Sequence, residues 1–291
     1  MLCQYSEESR SGRLEAPEIL KLQFSEDPRR HIVLLKVEPS ASSQIFCSDL
    51  SNAVDMSENK QALVFIHGYS ATFQDAARRT AQIAYDLDFT GVPILYSWPS
   101  RGKKSQYFAD EESVQWTVDH LQQFLEDVVS RTHAHTIHLV AHSMGNRALT
   151  AALRNIAMQH TASLAPFKHV VLAAPDISVA NFWQLAEKFR AAADSVPLYA
   201  SSRDEALMVS HKFHDFARAG ETVPSVCVVK GIDTIDVSRV ETDLIGHFYY
   251  AENKSFLADL HYLLQEDLPP ARRFHLRTVP AGDGQYWAFV P

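Results

Sequence analysis

The chain has 291 residues, 46% of them hydrophobic and 21% charged, with 27 Lys and Arg against 35 Asp and Glu for a net charge of −8. That length can bury a sizeable core in a single α/β unit, and the composition is that of an ordinary globular chain. The acidic balance argues against nucleic acid or an anionic membrane surface as the main partner.

Residues 1–30 lack the basic-then-apolar layout of a secretory signal, and no apolar run reaches membrane-spanning length, so a soluble, cytoplasmic protein is expected. Residues 1–18 are polar. Residues 19–24 alternate, residues 31–37 are apolar, and the turn-rich segment 25–30 lies between them, which predicts an antiparallel pair at one edge of a sheet. Residues 39–60, rich in Ser, Asn and Asp, read as a surface connection. Strand and helix patterns then alternate. A strand at 62–66 runs into His67-Gly68-Tyr69-Ser70, and a helix follows over 73–87, with Thr72 and Asp75 at capping-box spacing. The next strand, 92–96, ends in Ser97-Trp98-Pro99-Ser100. After a loop at 101–109, a helix from about Asp110 carries Val114, Val118, Leu121, Leu125 and Val128 at spacings of four and three.

The apolar run 137–141 stops at His142-Ser143-Met144-Gly145, and a good helix former occupies 147–156. A strand, a tight turn carrying Ser and a helix make the nucleophile-elbow pattern, in which a strained turn holds the Ser hydroxyl clear of its neighbours. Ala141 stands where Gly is usual, and it is small enough for the close approach of strand and helix. Beyond it come a strand at 169–174 followed by Asp176, a helix at 179–192, and a strand at 196–200. A capping box from Ser202 to Glu205 precedes Asp204's helix, and a last strand is predicted at 225–230. There Cys227 reads as a buried apolar residue; Cys3, Cys47 and Cys227 are too scattered for a disulfide framework or zinc ribbon. His247 heads a helix over 248–264, and residues 274–290 read as a small structural hairpin.

Apolar, non-alternating strands separated by helices mean a mostly parallel central sheet with helices on both faces. Ligands bind such sheets beyond the carboxyl ends of the strands. Ser143, Tyr69, Trp98, Asp176, Asp204 and His247 all follow strand ends and should gather on one edge. The chain divides into edge strands and a connection (1–60), a core (61–265) and a hairpin-like tail (266–291), within one domain.

Over residues 62–264 the chain resembles α/β-hydrolase-fold serine hydrolases. The resemblance rests on His67-Gly68 after one strand, Ala141-His-Ser-Met-Gly145 at the elbow, an Asp after a later strand and His247 last, which is that family's order. Phe65-Ile-His-Gly-Tyr69, Ser97-Trp-Pro-Ser100, Leu172-Ala-Ala-Pro-Asp176 and Gly246-His-Phe-Tyr-Tyr250 are similar, more narrowly, to a bacterial branch of uncharacterised hydrolases. The resemblance implies Ser143 as nucleophile, His247 as its base and Asp204 as the acid that orients the base, with Asp176 as the alternative acid. The backbone N–H groups of Met144 and Tyr69 would form the oxyanion hole. Tyr69, Trp98 and His142 would flank the substrate, although a neighbour on an elbow diverges from the nucleophile, which also suits His142 to packing or hydrogen bonding. His67 would fix the oxyanion loop. His133, His135 and His138 match no metal-ligand spacing, and neither a metal nor a cofactor is expected. Between Asp176 and Val196 there is room for about one helix, so no large lid is expected. The implied activity is that of a carboxylesterase cleaving small or medium acyl esters through a Ser-linked acyl-enzyme. Amidase, thioesterase or acyltransferase chemistry with the same triad, and a non-catalytic binding protein of this fold, stay open. The expected partner is a small-molecule ester rather than nucleic acid or membrane; the oligomeric state is left unset.

Overall fold

The computed structural model describes residues 2–4, 32–159, 166–239, 254–282 and 284–290. Strands buried on both faces carry unbroken apolar runs, and the centre of the sheet is built from such runs. β3 (Gln61–Ile66), β4 (Val92–Tyr96), β5 (Thr136–His142), β6 (Phe167–Ala173) and β8 (Pro197–Ala200) lie parallel. β9 (Asp233–Asp236) continues the parallel set, followed by β11 (Gly284–Phe289) and, antiparallel to it, β10 (Leu276–Ala281). The strand order is β10-β11-β9-β8-β6-β5-β3-β4, with the short β7 (Ala193–Ser195) beside β6.

The pleat decides which helix each strand residue meets. Ala62, Val64 and Ile66 join one core with residues of α1 (Ser43–Met56), α3 (Tyr107–Trp116), α4 (Val118–Arg131), α5 (Gly145–Gln159) and α6 (Val179–Phe189). Leu63 and Phe65 join the other, with α2 (Phe73–Asp86), α7 (Glu205–His214) and α8 (Lys254–Leu264). Strand order sets where a ligand can sit. From β3 the chain moves outward to β4. It then returns to place β5 on the other side of β3 and builds the sheet in the opposite direction. The strand order thus reverses at β3 and β5, and it is beyond the carboxyl ends of the strands at such a point that ligands bind in sheets of this kind.

Several expectations are corrected. β2 (Val33–Lys36) pairs antiparallel with β1 (Leu2–Gln4) in a separate two-stranded sheet, not at the edge of the main one. Its predicted partner, 19–24, lies outside the described residues. The supposed surface connection at 39–60 holds α1, capped by Ser42, whose side chain accepts from the Ile45 N–H. Cys47, Leu50, Ser51 and Val54 are its buried face, a helical spacing masked by Ser, Asn and Asp. The long helix expected from Asp110 is two helices meeting at Thr117. That residue is buried, and its hydroxyl and carbonyl are both engaged by the Tyr96 hydroxyl. No capping box forms between Ser202 and Glu205; Asp204 itself caps α7, accepting from the Leu207 N–H at 3.0 Å, while the Ser202 N–H donates to Ser238 Oγ. Residues 225–229 form no strand. Cys227 is buried as expected, but the place in the ladder belongs to β9, and the Cys227 carbonyl accepts from the Thr234 hydroxyl. An apolar run reports burial, which a loop can satisfy as well as a strand. The tail hairpin does form, but β11 pairs with β9 and so widens the main sheet. Between Asp176 and Val196 stand α6, a single 3-10 turn and the short β7. Among the described residues no helix is long and apolar enough to cross a membrane.

Candidate active site

β5 ends at His142 and α5 begins at Gly145, and between them Ser143 sits at φ +50°. A side chain in the left-handed region costs about 1–2 kcal/mol, so the turn needs support. Asn146, buried in the first turn of α5, gives it: its side-chain amide donates to the carbonyls of Ser143 (3.0 Å), Ala173 (3.1 Å) and Ala141 (3.3 Å). The Ser143 N–H donates to the Ala173 carbonyl at 2.9 Å, and the Ser143 carbonyl accepts from the N–H groups of Asn146 and Asp176. The end of β6 thus braces the turn from both sides. Sequence reasoning did not single out Asn146. An Asn at the start of a helix is ordinary, and the three carbonyls it reaches are brought together only by folding.

Two glycines set how closely the loops approach. A Cβ on Gly145 would stand 2.4 Å from the His67 carbonyl oxygen, so α5 can start only against the bare backbone end of β3. A Cβ on Gly68 would meet His142 Nδ1 at 2.8 Å and Ser143 Cβ at 3.0 Å. The β3 loop therefore lies directly on the nucleophile candidate. Ser143 is 1% exposed, and the buried Met144 follows it at the N-terminal turn of α5, where backbone N–H groups lack intrahelical acceptors.

The β3 loop is itself fixed. His67 Nδ1 donates to the Gly68 carbonyl at 2.8 Å, and its Nε2 accepts from the Ser97 hydroxyl at 3.3 Å. The ring stacks on Trp98, 5.0 Å between centroids, and Trp98 Nε1 donates to the His67 carbonyl at 2.7 Å. Burial holds the His67 pKa below its ordinary value against the pull of these backbone hydrogen bonds, so the ring is a neutral bracket. Trp98, expected beside the substrate, is 2% exposed and lies beneath the loop as its brace. Asp110, fully buried, accepts from the Ser70 N–H (3.0 Å), the Arg101 N–H (2.7 Å) and the Ser100 hydroxyl (2.7 Å). Tyr69 is thus held between two anchored neighbours. Asp110 gave no sequence signal, because one of its partners lies 40 residues away.

The two candidate acids have different surroundings. Asp176, just past β6, is almost wholly enclosed. Its Oδ1 accepts from the Ser210 hydroxyl (2.7 Å) and faces Arg218 Nε (3.3 Å). Its Oδ2 accepts from the Tyr107 hydroxyl (2.5 Å) and Arg147 Nη2 (3.2 Å). Arg147 also reaches Glu111 at 2.6 Å, and Glu111 accepts from or pairs with His214 Nε2 at 2.9 Å. Burial pushes the Asp176 carboxyl up, but Arg147, Arg218, Tyr107 and Ser210 together outweigh it and hold the pKa below the ordinary value. Asp204, also fully buried, heads α7 beyond the end of β8. Burial, then the charges of Asp176, Asp204 and Asp110, raise the Tyr69 phenol, which puts all three carboxylates in the neighbourhood of that side chain. His142 is buried beside the elbow. His247 lies outside the described residues. Of the clustered histidines, His133 is exposed and bonded to Asp55 at 2.6 Å, whereas His138 is buried and stacked on His169.

Residues 42–264 match the family described as "Alpha/beta hydrolase of unknown function (DUF900)". Among solved structures, the chain is similar to an uncharacterized protein from Bacillus cereus, at 11% identity and TM-score 0.44, covering 86% of this chain and 67% of that one. It is also similar to a lipase-esterase related protein from Clostridium acetobutylicum, at 10% identity and TM-score 0.40, covering 72% and 96%. A third is an esterase from Pyrobaculum calidifontis, at 10% identity and TM-score 0.38, covering 77% and 90%. No curated protein matches the chain.

Proposed function

The chain belongs to this alpha/beta-hydrolase family, and from that premise we propose that it is a serine esterase that cleaves small or medium acyl esters through an acyl-enzyme on Ser143. The observation that carries the reading is the turn at φ +50°, locked by Asn146, with the Gly68 loop on its β-carbon. Such strain persists only where the surroundings over-determine it, and it concentrates at reactive positions. In this reading His247 takes the Ser143 proton as Oγ attacks the ester carbonyl. The backbone N–H groups of Met144 and Tyr69 receive the oxyanion, each contributing about 3–4 kcal/mol of transition-state stabilisation. His247 then protonates the leaving alcohol, and water activated by the same ring releases the acid. No cofactor enters the scheme. Asp204 is the preferred acid. Both oxygens of Asp176 are already committed to two guanidinium groups and two hydroxyls, which suits it to holding structure rather than orienting an imidazole.

A fluorophosphonate probe followed by peptide mapping tests the nucleophile: the adduct is expected on Ser143, and folded protein that forms none, or forms it elsewhere, overturns the reading. Ser143→Ala should abolish turnover of p-nitrophenyl acetate. The acid is tested with Asp204→Asn and Asp176→Asn. Asn is as good a helix cap as Asp, so Asp204→Asn removes the charge while keeping α7 capped. It is expected to lower kcat about 10⁴-fold, by analogy with loss of the orienting carboxylate elsewhere. If kcat per folded molecule collapses only in Asp176→Asn, the assignment is reversed.

A further inference from the structure

Tyr69, the residue after the glycine that lies on Ser143, stands at the start of a row of aromatic rings that runs out to solvent. It follows Gly68, which lies against Ser143 Cβ. Its ring meets Tyr107 edge-on, 5.2 Å between centroids. Tyr107 meets Phe108 at 5.8 Å, and Phe108 meets Phe213 at 6.0 Å, each again edge-on. The inner two rings are partly buried, whereas Phe108 and Phe213 are 59% and 67% exposed. Val209, one helical turn before Phe213 on α7, is half exposed too. The row is held in place at its middle: Tyr107 is fixed by Asp176 and Ser210, and His214, tied to Glu111, packs against both Tyr107 and Phe108. Phe108 opens α3 after the β4 loop and α7 follows β8, so the row stands at the carboxyl ends of the strands. Exposed aromatic rings cost free energy when left in water, and here they lead back to the loop that lies on Ser143.

We infer that this row, Tyr69–Tyr107–Phe108–Phe213, is the specificity surface of the Ser143 site and receives an apolar acyl chain of medium length. The inference rests on the esterase reading and names the substrate class within it. An acetyl group ends near Ser143 and gains nothing from the outer rings. An octanoyl chain can lie along them and remove apolar surface from water. Phe108 and Phe213 thus act on binding rather than on the chemical step.

The experiment compares p-nitrophenyl acetate with p-nitrophenyl octanoate, using the full chain and the double variant Phe108→Ser/Phe213→Ser. Octanoate kcat/KM should fall about tenfold, through KM, while acetate stays within about twofold. Phe108→Leu/Phe213→Leu, which keeps the surface apolar, should retain the octanoate preference. Equal losses on both esters, or no change in either, overturn the inference. So does a dimer in solution that the Ser variant dissolves while chain-length preference stays intact. Calorimetric titration of both esters into Ser143→Ala protein reads the surface without turnover. If the unaltered chain cleaves neither ester, the esterase reading fails, yet tighter octanoate binding that the Phe pair controls still supports the surface. Equal binding of the two esters refutes it.

Discussion

Two buried aspartates, each facing arginine, have opposite electrostatic fates. Asp176, beside the elbow, collects two guanidinium groups and two hydroxyls, and its pKa is held below the ordinary value despite burial. Asp259, on α8 at the other face of the sheet, collects one arginine, Arg273 Nη1 at 2.8 Å, and one phenol, Tyr199, at 2.7 Å. There burial wins, and the Asp259 pKa rises. Its Oδ1 and the Nε and Nη2 of Arg273 have no hydrogen-bond partner among the described residues. Depth does not separate the two clusters, since both carboxyls are enclosed. The number of converging donors does, and the donors converge where the chain must hold a strained turn.

The comparison breaks most visibly if Asp176 is made apolar. Asp176→Leu would leave Arg147 and Arg218 facing each other without their carboxylate, and removing one partner of a buried ion pair costs about 3–5 kcal/mol. Urea unfolding should show that loss. A shift of the Asp176 backbone, whose N–H supports the Ser143 carbonyl, should lower the proposed ester turnover per folded molecule as well. Unchanged stability would mean that the cluster is a passive filler.

The same contrast separates what the chain's pattern reveals from what it hides. Strands such as β3 and β5 were legible because both of their faces are buried and the apolar run shows it. The cap at Thr72 was legible too, since Thr72 and Asp75 are three residues apart and do bond reciprocally. The elbow could be read for the same reason: its parts are contiguous. Asp176's partners come from Tyr107, Arg147, Ser210 and Arg218, up to 69 residues away, and no local pattern announces them. Asp110 and Asn146 escaped notice likewise, one through distant partners and the other because three carbonyls converge on it only after β5 and β6 have paired. α1 was missed because composition outweighed period, and β9 because the stronger apolar signal at 226–229 belongs to a loop.

Acid sharpens the comparison, because the two aspartates respond with opposite sign. Asp176, with its pKa lowered, contributes stability above the unfolded value of 3.8 that is lost as pH falls through the folded one. Asp259, with its pKa raised, favours folding below 3.8 and loses that contribution as pH rises through its folded value. Two stacked histidines on adjacent strands dominate the window above. Burial holds His138 down to about 3, with His169 adding to it, and burial holds His169 down to about 4 against the pull of Asp267. Their folded values lie below 6.5, so the neutral rings stabilise fully above pH 6.5 and lose that contribution as pH falls toward about 4 and about 3. Each ring should add up to about 1.4 kcal/mol per pH unit to the slope in that window. In urea titrations across it, His138→Leu should remove about half of the slope. A slope that does not change would mean the rings are not held neutral.

The smallest effect is expected where the comparison predicts least dependence on charge. Removing Asp259 alone strands a buried guanidinium, but replacing the whole cluster, Tyr199→Phe with Asp259→Leu and Arg273→Met, removes every desolvated polar group together. Buried ion pairs exchanged for apolar residues of similar volume are often neutral or stabilising, and here the partly unsatisfied groups of Asp259 and Arg273 favour that outcome. The triple variant should unfold within about 1 kcal/mol of the parent, or above it, and keep the proposed ester turnover. Phe256, already packed edge-on against Tyr199 at 4.7 Å, would keep α8 seated on β8. If the triple variant loses as much as Asp259→Leu alone, the cluster specifies the docking of α8 through its charges. Donor count would then not be what distinguishes it from the one beside Ser143.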